Sequence, residues 1–321
     1  MSIALAGRST LQRADQFVAR FSPATRGLLI FIFHPFFASE AEIERAPMHP
    51  HERATGEGLK RLFAYFREHG YRFVGAAEIE RGLEPGGRYA HLTFDDGFAS
   101  NLGLLDLLPE EGVHATVFPS ARHVLEEKAY WWNVVYRERR RHGGRSRIAA
   151  ETEKLRRMRA PDVDAYLLSE FGPTALKPIG DTDRPLSADE LRELGSSPWV
   201  EIGNHTIDHA VLTRCSREEA ADQVRQAQQW LSELLGAPPF VIAYPDGAYD
   251  PAIVDMCRDE GLRLGVTTTP ENNPLPLDQQ ARMRLGRFRI TFDRRARAQM
   301  RAVCSSVQLA AAGRRLALRK R

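Results

Sequence analysis

The sequence has 321 residues, of which 45 are basic, 42 are acidic and 43% are apolar. This composition is typical of a globular protein, and it excludes a disordered chain, a collagen-like chain and an integral membrane protein. The net charge of +3 and the lack of a recognition motif beside the arginine clusters also argue against nucleic acid as a partner.

Two features of the sequence predict a cytoplasmic protein. The N-terminal region shows no basic flank followed by an apolar stretch and a cleavage site, so no secretory signal is recognised. Cys215, Cys257 and Cys304 are odd in number and far apart, which supports neither a disulfide framework nor a cysteine metal site. We therefore expect a reducing compartment.

Short apolar segments alternate with longer amphipathic segments after an N-terminal extension, residues 1–27. The apolar segments are predicted as strands: Leu28–Phe33, Tyr89–Phe94, Ala115–Phe118, Trp199–Ile202, Phe240–Tyr244 and Arg263–Thr267. The segments predicted as helices are Gly58–His69, Phe98–Pro109, Ser216–Leu235 and Pro251–Glu260. Because strands that alternate with helices pair in parallel through crossover helices, the sequence predicts an α/β fold, either an open sheet or a barrel.

Two segments depart from this alternation. Residues from about 130 to 185 are polar and helical, with many arginines, and we interpret them as an insertion between two strands. Residues 293–321 are predicted to form a basic C-terminal helix that ends in Arg314, Arg315, Arg319, Lys320 and Arg321. A solvated terminal helix explains these charges, and peripheral contact with anionic lipid or with a phosphate-bearing substrate is the alternative.

Three short motifs follow predicted strands and carry the chemical signal. Thr93–Gly97 (TFDDG) places two carboxylates side by side, which is costly unless a cation or a proton separates their charges. Asn204–His209 (NHTIDH) places two histidines four residues apart, so that both imidazoles share one face of a helical turn and can bind one metal ion. Tyr244–Gly247 (YPDG) is a turn. Each motif alone also has an ordinary structural explanation.

Together and in this order, the motifs resemble those of the polysaccharide deacetylase family, the carbohydrate esterases built on the NodB homology domain. The resemblance covers about residues 28–290 and implies a distorted (β/α) barrel of about seven strands, here residues 28–292 with the insertion. It also implies that Asp96, His205 and His209 bind a divalent metal and that Asp95 is the general base. Zn²⁺ suits these ligands best, while Co²⁺, Ni²⁺ and Fe²⁺ also suit them.

The sequence departs from the family pattern at three points. Many members carry an arginine two residues before the proline of the third motif, where it orients the base, and Ala243 stands there. Asp246 stands where a tyrosine is often found. The family's usual general acid is a histidine near the C-terminus, but the corresponding stretch is Leu285–Ile290 and no histidine follows His209. The departing amine still needs a proton donor.

His34 is the candidate for that donor, because it ends the first predicted strand and this rim carries active-site residues in barrels. A buried histidine bonded to a backbone carbonyl is the alternative, and His49 and His51 are further candidates. Arg287 cannot donate a proton at neutral pH. It is expected to bind an anionic group of the substrate, to pair with Asp95 in place of the missing arginine, or to form a structural salt bridge.

Further substrate contacts are expected from aromatic residues and from the third motif. Trp131 and Trp132 have the chemistry to stack on a sugar ring, although such residues are more often core or hinge residues of an insertion. We name Trp132 as the candidate of the two. Tyr244, Pro245 and Gly247 are predicted to contact the substrate, and a backbone N–H of this turn is a candidate donor to the oxyanion.

These residues predict a metal-dependent hydrolase that removes an acetyl group from an N-acetylated sugar. A saccharide or a lipid-linked precursor, handled in the cytoplasm or at the inner face of the membrane, fits the lack of a recognised secretory signal. One alternative keeps the metal site in a small-molecule amidase or deformylase. A non-catalytic saccharide-binding protein is the other, and the intact Asp95, Asp96, His205 and His209 argue against it. The sequence leaves the oligomeric state open.

Overall fold

The structure is a computed structural model that describes residues 24–46, 48, 54–141 and 144–305. Its strands are β1 (Gly27–Phe33), β2 (Arg72–Phe73), β3 (Arg88–Asp96), β4 (Ala115–Pro119), β5 (Val200–Ile202), β6 (Val241–Ala243) and β7 (Leu264–Val266). Its helices are α1 (Glu40–Arg45), α2 (Gly56–Glu68), α3 (Ala76–Arg81), α4 (Leu104–Glu111), α5 (Ala121–Leu125), α6 (Trp131–Arg141), α7 (Ile148–Leu155), α8 (Ala160–Phe171), α9 (Ala188–Ser196), α10 (Arg217–Leu235), α11 (Pro251–Asp259), α12 (Gln279–Arg282) and α13 (Ala296–Cys304).

The strands form the wall of a barrel. One parallel sheet has the order β1–β3–β4–β5, with β2 added on β3, and β6 pairs with β7 in a second. An isolated bridge from Asn204 to Ile242 joins the two sheets on one side. On the other side, bridges from Val266 to Leu285 and from Phe31 to Phe288 join β7 to β1 through residues 285–288. The wall therefore runs from β1 through β7 and residues 285–288 back to β1, and the predicted distorted (β/α) barrel of about seven strands is confirmed.

The alternation of side chains along each strand separates two apolar layers. Leu28 and Ile30 of β1 pack inside the barrel with apolar residues of β3, β4, β6 and β7. Leu29, Phe31 and Phe33 point outwards and pack with residues of α2 and α4. Towards the carboxyl ends of the strands the side chains that point inwards are polar. This end of the barrel therefore contains groups that can bind a ligand or transfer a proton.

The predicted elements agree with the structure within a few residues. Helix α10 begins with a capping box in which Ser216 and Glu219 each bond the other's backbone N–H, and it ends at Gly236 in the left-handed conformation. The predicted helix Phe98–Pro109 is divided into a 3₁₀ segment, Ala99–Gly103, and α4. The two-residue strand β2 was not predicted, because its length carries no periodicity.

Residues between β4 and β5 include the segment predicted as an insertion. Helices α6, α7 and α8 enclose a small apolar core of their own. Arg137 of α6 is 4% exposed, and it forms a buried ion pair with Asp183 and donates to the backbone carbonyl of Lys177. These contacts hold the start and the end of the segment together.

Some predictions fall outside the described residues. His49 and His51 lie there, as do most of residues 1–27 and the basic positions from Arg314 to Arg321, so contact of the C-terminal segment with a membrane stays a prediction. Within the described part, α13 lies in the segment predicted as the C-terminal helix, residues 293–321, and it ends at Cys304, since Ser305 is extended. No helix of the described residues combines the length and apolar character needed to cross a bilayer.

The buried pair of Arg137 and Asp183 predicts how the helical segment is stabilised. Asp183→Ala leaves a buried guanidinium without its charged partner, so we expect the free energy of unfolding to fall by about 3–5 kcal/mol in urea denaturation. Asp181→Ala is the matched control, because Asp181 lies in the same loop with its side chain 86% exposed; we expect a change of about 1 kcal/mol or less. Equal effects of the two variants would contradict the role of the buried pair.

Candidate metal centre and active site

The two aspartates of the first motif face the same centre because the backbone turns between them. Asp95 lies at an inward position at the end of β3, in line with Thr93. Asp96 has a φ of 73°, a left-handed conformation that residues other than glycine rarely adopt. Gly97 follows with a φ of 78°, and a Cβ there would lie 2.7 Å from the Cβ of Pro119. The strained turn therefore brings a second carboxylate to the rim.

The two histidines converge through a turn and not through a helix. Thr206 and His209 have φ values of 64° and 54°, which correct the predicted helical face. Side chains of the motif shape this turn: the Asn204 carboxamide accepts from the Thr206 amide at 2.8 Å, and the Thr206 hydroxyl accepts from the Ala210 amide at 3.0 Å. The result is the same convergence of imidazoles that the spacing predicted.

Asp96, His205 and His209 form a cluster suited to a metal ion. Their ligand atoms lie within 4.8 Å of one another. His205 Nδ1 hydrogen-bonds the Ala243 carbonyl at 2.7 Å, which orients Nε2 towards Asp96 Oδ1 at 3.6 Å, and His209 Nε2 lies 3.5 Å from the same oxygen. Among the described residues, the buried Oδ1 of Asp96 and Nε2 of His205 have no hydrogen-bond partner. Two imidazoles and one carboxylate with unpaired buried atoms fit a divalent cation.

The electrostatics of the cluster favour metal-binding protonation states. Burial and the neighbouring His205 lower the pKa of His209 to about 4, so its ring is neutral at neutral pH. Burial disfavours the charged form of Asp96, but the surrounding imidazoles of His205 and His34 outweigh burial and lower its pKa. A neutral imidazole and an ionised carboxylate are the forms that bind metals.

Arg287 pairs with Asp95. Nη1 donates to Asp95 Oδ1 at 2.6 Å and Nη2 donates to Oδ2 at 2.7 Å, while Nε donates to the carbonyl of Thr267 at 2.8 Å. Burial disfavours the charged Asp95, but the guanidinium outweighs burial and lowers the pKa of the carboxyl. Of the roles predicted for Arg287, the structure shows the pairing that replaces the arginine absent at Ala243.

His34 lies where the sequence placed it. It follows β1 directly and lines the same cavity as Asp95, Asp96, His205 and His209. Electrostatic interaction with His34 contributes to the lowered pKa values of both aspartates. The structure therefore brings the candidate proton donor to the candidate metal centre.

An aromatic wall, Tyr130, Trp132 and His123, stands beside the centre. Tyr130 stacks between the other two, with ring centroids 4.2 Å from His123 and 4.8 Å from Trp132, and its hydroxyl donates to the carbonyl of Asp96. Trp132 reaches His209, with centroids 4.9 Å apart. Sequence reasoning missed His123 and the role of Tyr130, because neither belongs to a motif. Trp132 lines the cavity, as its predicted substrate contact requires.

The other predicted substrate contacts are not at the cavity surface. Tyr244 is fully buried and its hydroxyl donates to the carbonyl of Met283 at 3.0 Å. Pro245 is buried beside it, and Gly247, with a φ of 70°, packs against Thr268 where a Cβ would clash. Arg287 is 1% exposed behind Asp95. None of these four residues lines the cavity, whereas Asp246 of the third motif does. The amides of Tyr244 and Gly247 donate to other backbone carbonyls, which removes both as oxyanion donors.

The cavity in front of the centre has a volume of about 960 Å³. It extends from His34, Asp95, Asp96, His205 and His209 to the helices α6, α7 and α8. A cavity of this size that contains convergent polar groups is typical of a small-molecule site or an enzyme active site.

Comparison of the sequence with family models identifies polysaccharide deacetylase, which matches residues 82–265, more than half of the chain. The matched region contains Asp95, Asp96, His205 and His209, and the resemblance predicted from the motifs is confirmed. A comparison with curated proteins finds no match.

Solved structures share the fold at low sequence identity. The deacetylase PplD of Streptococcus pyogenes, solved with acetate, is 15% identical, with a TM-score of 0.59 over 87% of this chain and 98% of that chain. IcaB from Ammonifex degensii is 17% identical, with a TM-score of 0.58 over 88% and 99%. A de-N-acetylase from Aggregatibacter actinomycetemcomitans is 16% identical, with a TM-score of 0.54 over 84% and 96%.

Asp96 belongs to the metal cluster, whereas Asp95 pairs with Arg287. Measurements of metal affinity test this division of roles. His205→Ala and Asp96→Asn each remove a ligand, so we expect Zn²⁺ affinity in calorimetry to fall by more than the 10–100-fold that supporting groups cost. Asp95→Asn should keep near-native Zn²⁺ affinity, because Asp95 bonds Arg287 and not the cluster. Equal losses in Asp95→Asn and Asp96→Asn would contradict the division.

Arg287→Met tests the pairing with Asp95. The buried carboxylate would lose its cation, so burial would raise the pKa of Asp95, and we expect the acid limb of the pH–rate profile to move to higher pH. Turnover of an N-acetylated substrate should fall by about 10²-fold or more, since the base is no longer held in place, while Zn²⁺ content stays unchanged. Arg284→Met is the control, because Arg284 is exposed in the same segment. An unchanged profile in Arg287→Met would rule out the pairing as functional.

Proposed function

We propose that this chain, which belongs to the polysaccharide deacetylase family and hydrolyses carbon–nitrogen bonds other than peptide bonds, removes an N-acetyl group from an acetylated aminosugar with the help of a divalent cation. One observation carries the proposal. The cluster of Asp96, His205 and His209 lies next to the Arg287–Asp95 pair, and Asp95, Asp96 and both histidines line a large cavity. Zn²⁺ is the cation that suits this ligand set best.

A divalent cation would be held by Asp96, His205 and His209, and it would supply Lewis acidity for the activation of water and the polarisation of the substrate carbonyl. Asp95 then acts as the general base that accepts the proton of the attacking water. Arg287 holds both Asp95 oxygens in place through two hydrogen bonds, so only the remaining lone pairs of the carboxylate face the cavity. Fixed orientation of the base is what this pairing contributes to the reaction.

His34 is the proposed proton donor to the departing amine. It lines the cavity beside both aspartates, at the carboxyl end of β1. A general acid must reach the leaving nitrogen directly or through one water, and a cavity-lining imidazole at this rim meets that requirement. Trp132, in α6, lines the same cavity and offers an aromatic ring against which the sugar ring packs.

Acetate release from N-acetylated aminosugars, measured with the Zn²⁺-loaded protein, tests the proposal. We expect Asp95→Asn and His34→Gln each to lower turnover by about 10²–10⁴-fold without loss of Zn²⁺, since each removes one proton-transfer group. The His34→Gln defect should shrink for an activated acetate ester, whose leaving group needs no protonation. His69→Gln, in a histidine outside the cavity, is the control.

Two outcomes would overturn the proposal. A protein that binds Zn²⁺ but releases no acetate from any acetylated aminosugar would not be such a deacetylase. Faster release of formate than of acetate from the matching formylated aminosugar would identify a deformylase instead. Full activity of His34→Gln on the amide substrate would remove His34 from the mechanism and leave the rest of the proposal standing.

A further inference from the structure

The candidate metal ligand Asp96 adopts a backbone conformation that an aspartate does not favour. Its φ of 73° and the φ of 78° at Gly97 go with one orientation of the peptide group between these two residues. A positive φ at a residue other than glycine persists only where the surrounding structure holds it. The contacts of this peptide group therefore help to decide whether the Asp96 carboxylate meets His205 and His209.

The carbonyl of that peptide group, which belongs to Asp96, accepts hydrogen bonds from the backbone and from a side chain. The amide of Ser120 donates to it at 3.2 Å, directly after the last residue pair of β3 and β4. The hydroxyl of Tyr130 also donates to it, from a residue that lies 34 positions further along the chain. A side chain at the start of the insertion thus bonds the backbone of a candidate metal ligand in the barrel.

The ring of Tyr130 is fully buried and packed, so its hydroxyl has a fixed position. The rings of His123 and Trp132 lie nearly parallel to it, at interplanar angles of 13° and 21°, and the centroid of Phe98 lies 5.0 Å away. The backbone of Tyr130 is held as well, because its carbonyl accepts from the amide of Asn133 at 2.9 Å where α6 begins. A hydroxyl on a ring that is locked by packing holds its acceptor in one place.

We propose that Tyr130 is a positioning residue of the metal centre, whose hydroxyl keeps the peptide group after Asp96 in the orientation that directs the carboxylate towards both histidines. This inference rests on the proposed function, from which it takes the metal centre. Hydrogen bonds that orient metal ligands contribute to metal affinity. Without the hydroxyl, the peptide group would keep the bond from Ser120 alone, and the carboxylate would be held less firmly against the histidines.

Tyr130→Phe tests the proposal, because it removes the hydroxyl and keeps the ring. We expect Zn²⁺ affinity in calorimetry to fall by about 10–100-fold, the usual cost of losing a group that supports a metal ligand. Tyr71→Phe is the matched control. Tyr71 is also buried and lies outside the cavity, and its hydroxyl donates to the carbonyl of Thr25 at 2.6 Å.

Each of these two variants loses one buried hydrogen bond, so each should unfold at a slightly lower temperature than the wild-type protein. Only Tyr130→Phe should bind Zn²⁺ more weakly, which separates a positioning role from a merely structural one. Equal Zn²⁺ affinities in Tyr130→Phe and Tyr71→Phe would overturn the proposal.

A double-mutant cycle shows whether Tyr130 acts through Asp96. Asp96→Asn already removes the carboxylate, so adding Tyr130→Phe should change the remaining Zn²⁺ affinity by less than about twofold. His205→Ala keeps the carboxylate, and adding Tyr130→Phe to it should still weaken Zn²⁺ binding. An undiminished effect of Tyr130→Phe in the Asp96→Asn protein would mean that the hydroxyl acts elsewhere, which would overturn the proposal.

Acetate release from N-acetylated aminosugars separates this inference from the proposed function. Weaker Zn²⁺ binding by Tyr130→Phe, with no acetate release by the Zn²⁺-loaded wild-type protein, would support the positioning role and overturn the proposed function. Acetate release by a wild-type protein whose Zn²⁺ affinity equals that of Tyr130→Phe would support the function and overturn the positioning role.

Discussion

Two adjacent carboxylates buried at the end of one central strand set the requirements for everything around them. Asp95 and Asp96 are each 2% exposed, and like charges this close do not both ionise without positive partners. Arg287 neutralises Asp95 through two hydrogen bonds. Asp96 has an unpaired oxygen facing two imidazoles, which is the arrangement that a divalent cation completes. Arg287 comes from residues 285–288, the same segment that closes the barrel between β7 and β1, so barrel closure and charge compensation depend on one another.

The position of Arg287 shows that Asp95 requires a positive charge beside it in the folded protein, whichever position in the sequence supplies that charge. Ala243, where many family members carry an arginine, uses its carbonyl to orient His205 and packs its side chain inside the barrel. Arg287 reaches Asp95 from another part of the wall and also bonds Thr93 and Thr267. A bidentate guanidinium gives the base both a fixed orientation and a fixed charge, whichever element supplies it.

The alternation of strands and helices, the paired aspartates and the convergence of His205 and His209 were predicted from strand periodicity and motif spacing, which are local properties. The choice of a barrel over an open sheet came from the resemblance to the family. The reason for the convergence was wrong, since left-handed residues at Thr206 and His209 replace the expected helical turn, and such φ values have no signature in residue spacing. The burial of Tyr244 and Pro245 also escaped prediction, because a turn after a strand reaches either the surface or the core depending on what covers it. Closure through residues 285–288 rests on single bridges, which leave no alternating pattern to detect.

The helical insertion contacts the third motif at a position where this sequence departs from the family pattern. Asp246, at the position where the family often has a tyrosine, adopts a φ of 57° and pairs with Arg156 from the insertion. The third motif thus has a carboxylate where an aromatic side chain is common in the family, and this carboxylate forms an ion pair with the insertion at the rim of the barrel. Trp132, at the start of the insertion, packs against His209. The insertion therefore contacts the third motif through Arg156 and the metal cluster through Trp132, and its residues line the cavity in front of the cluster.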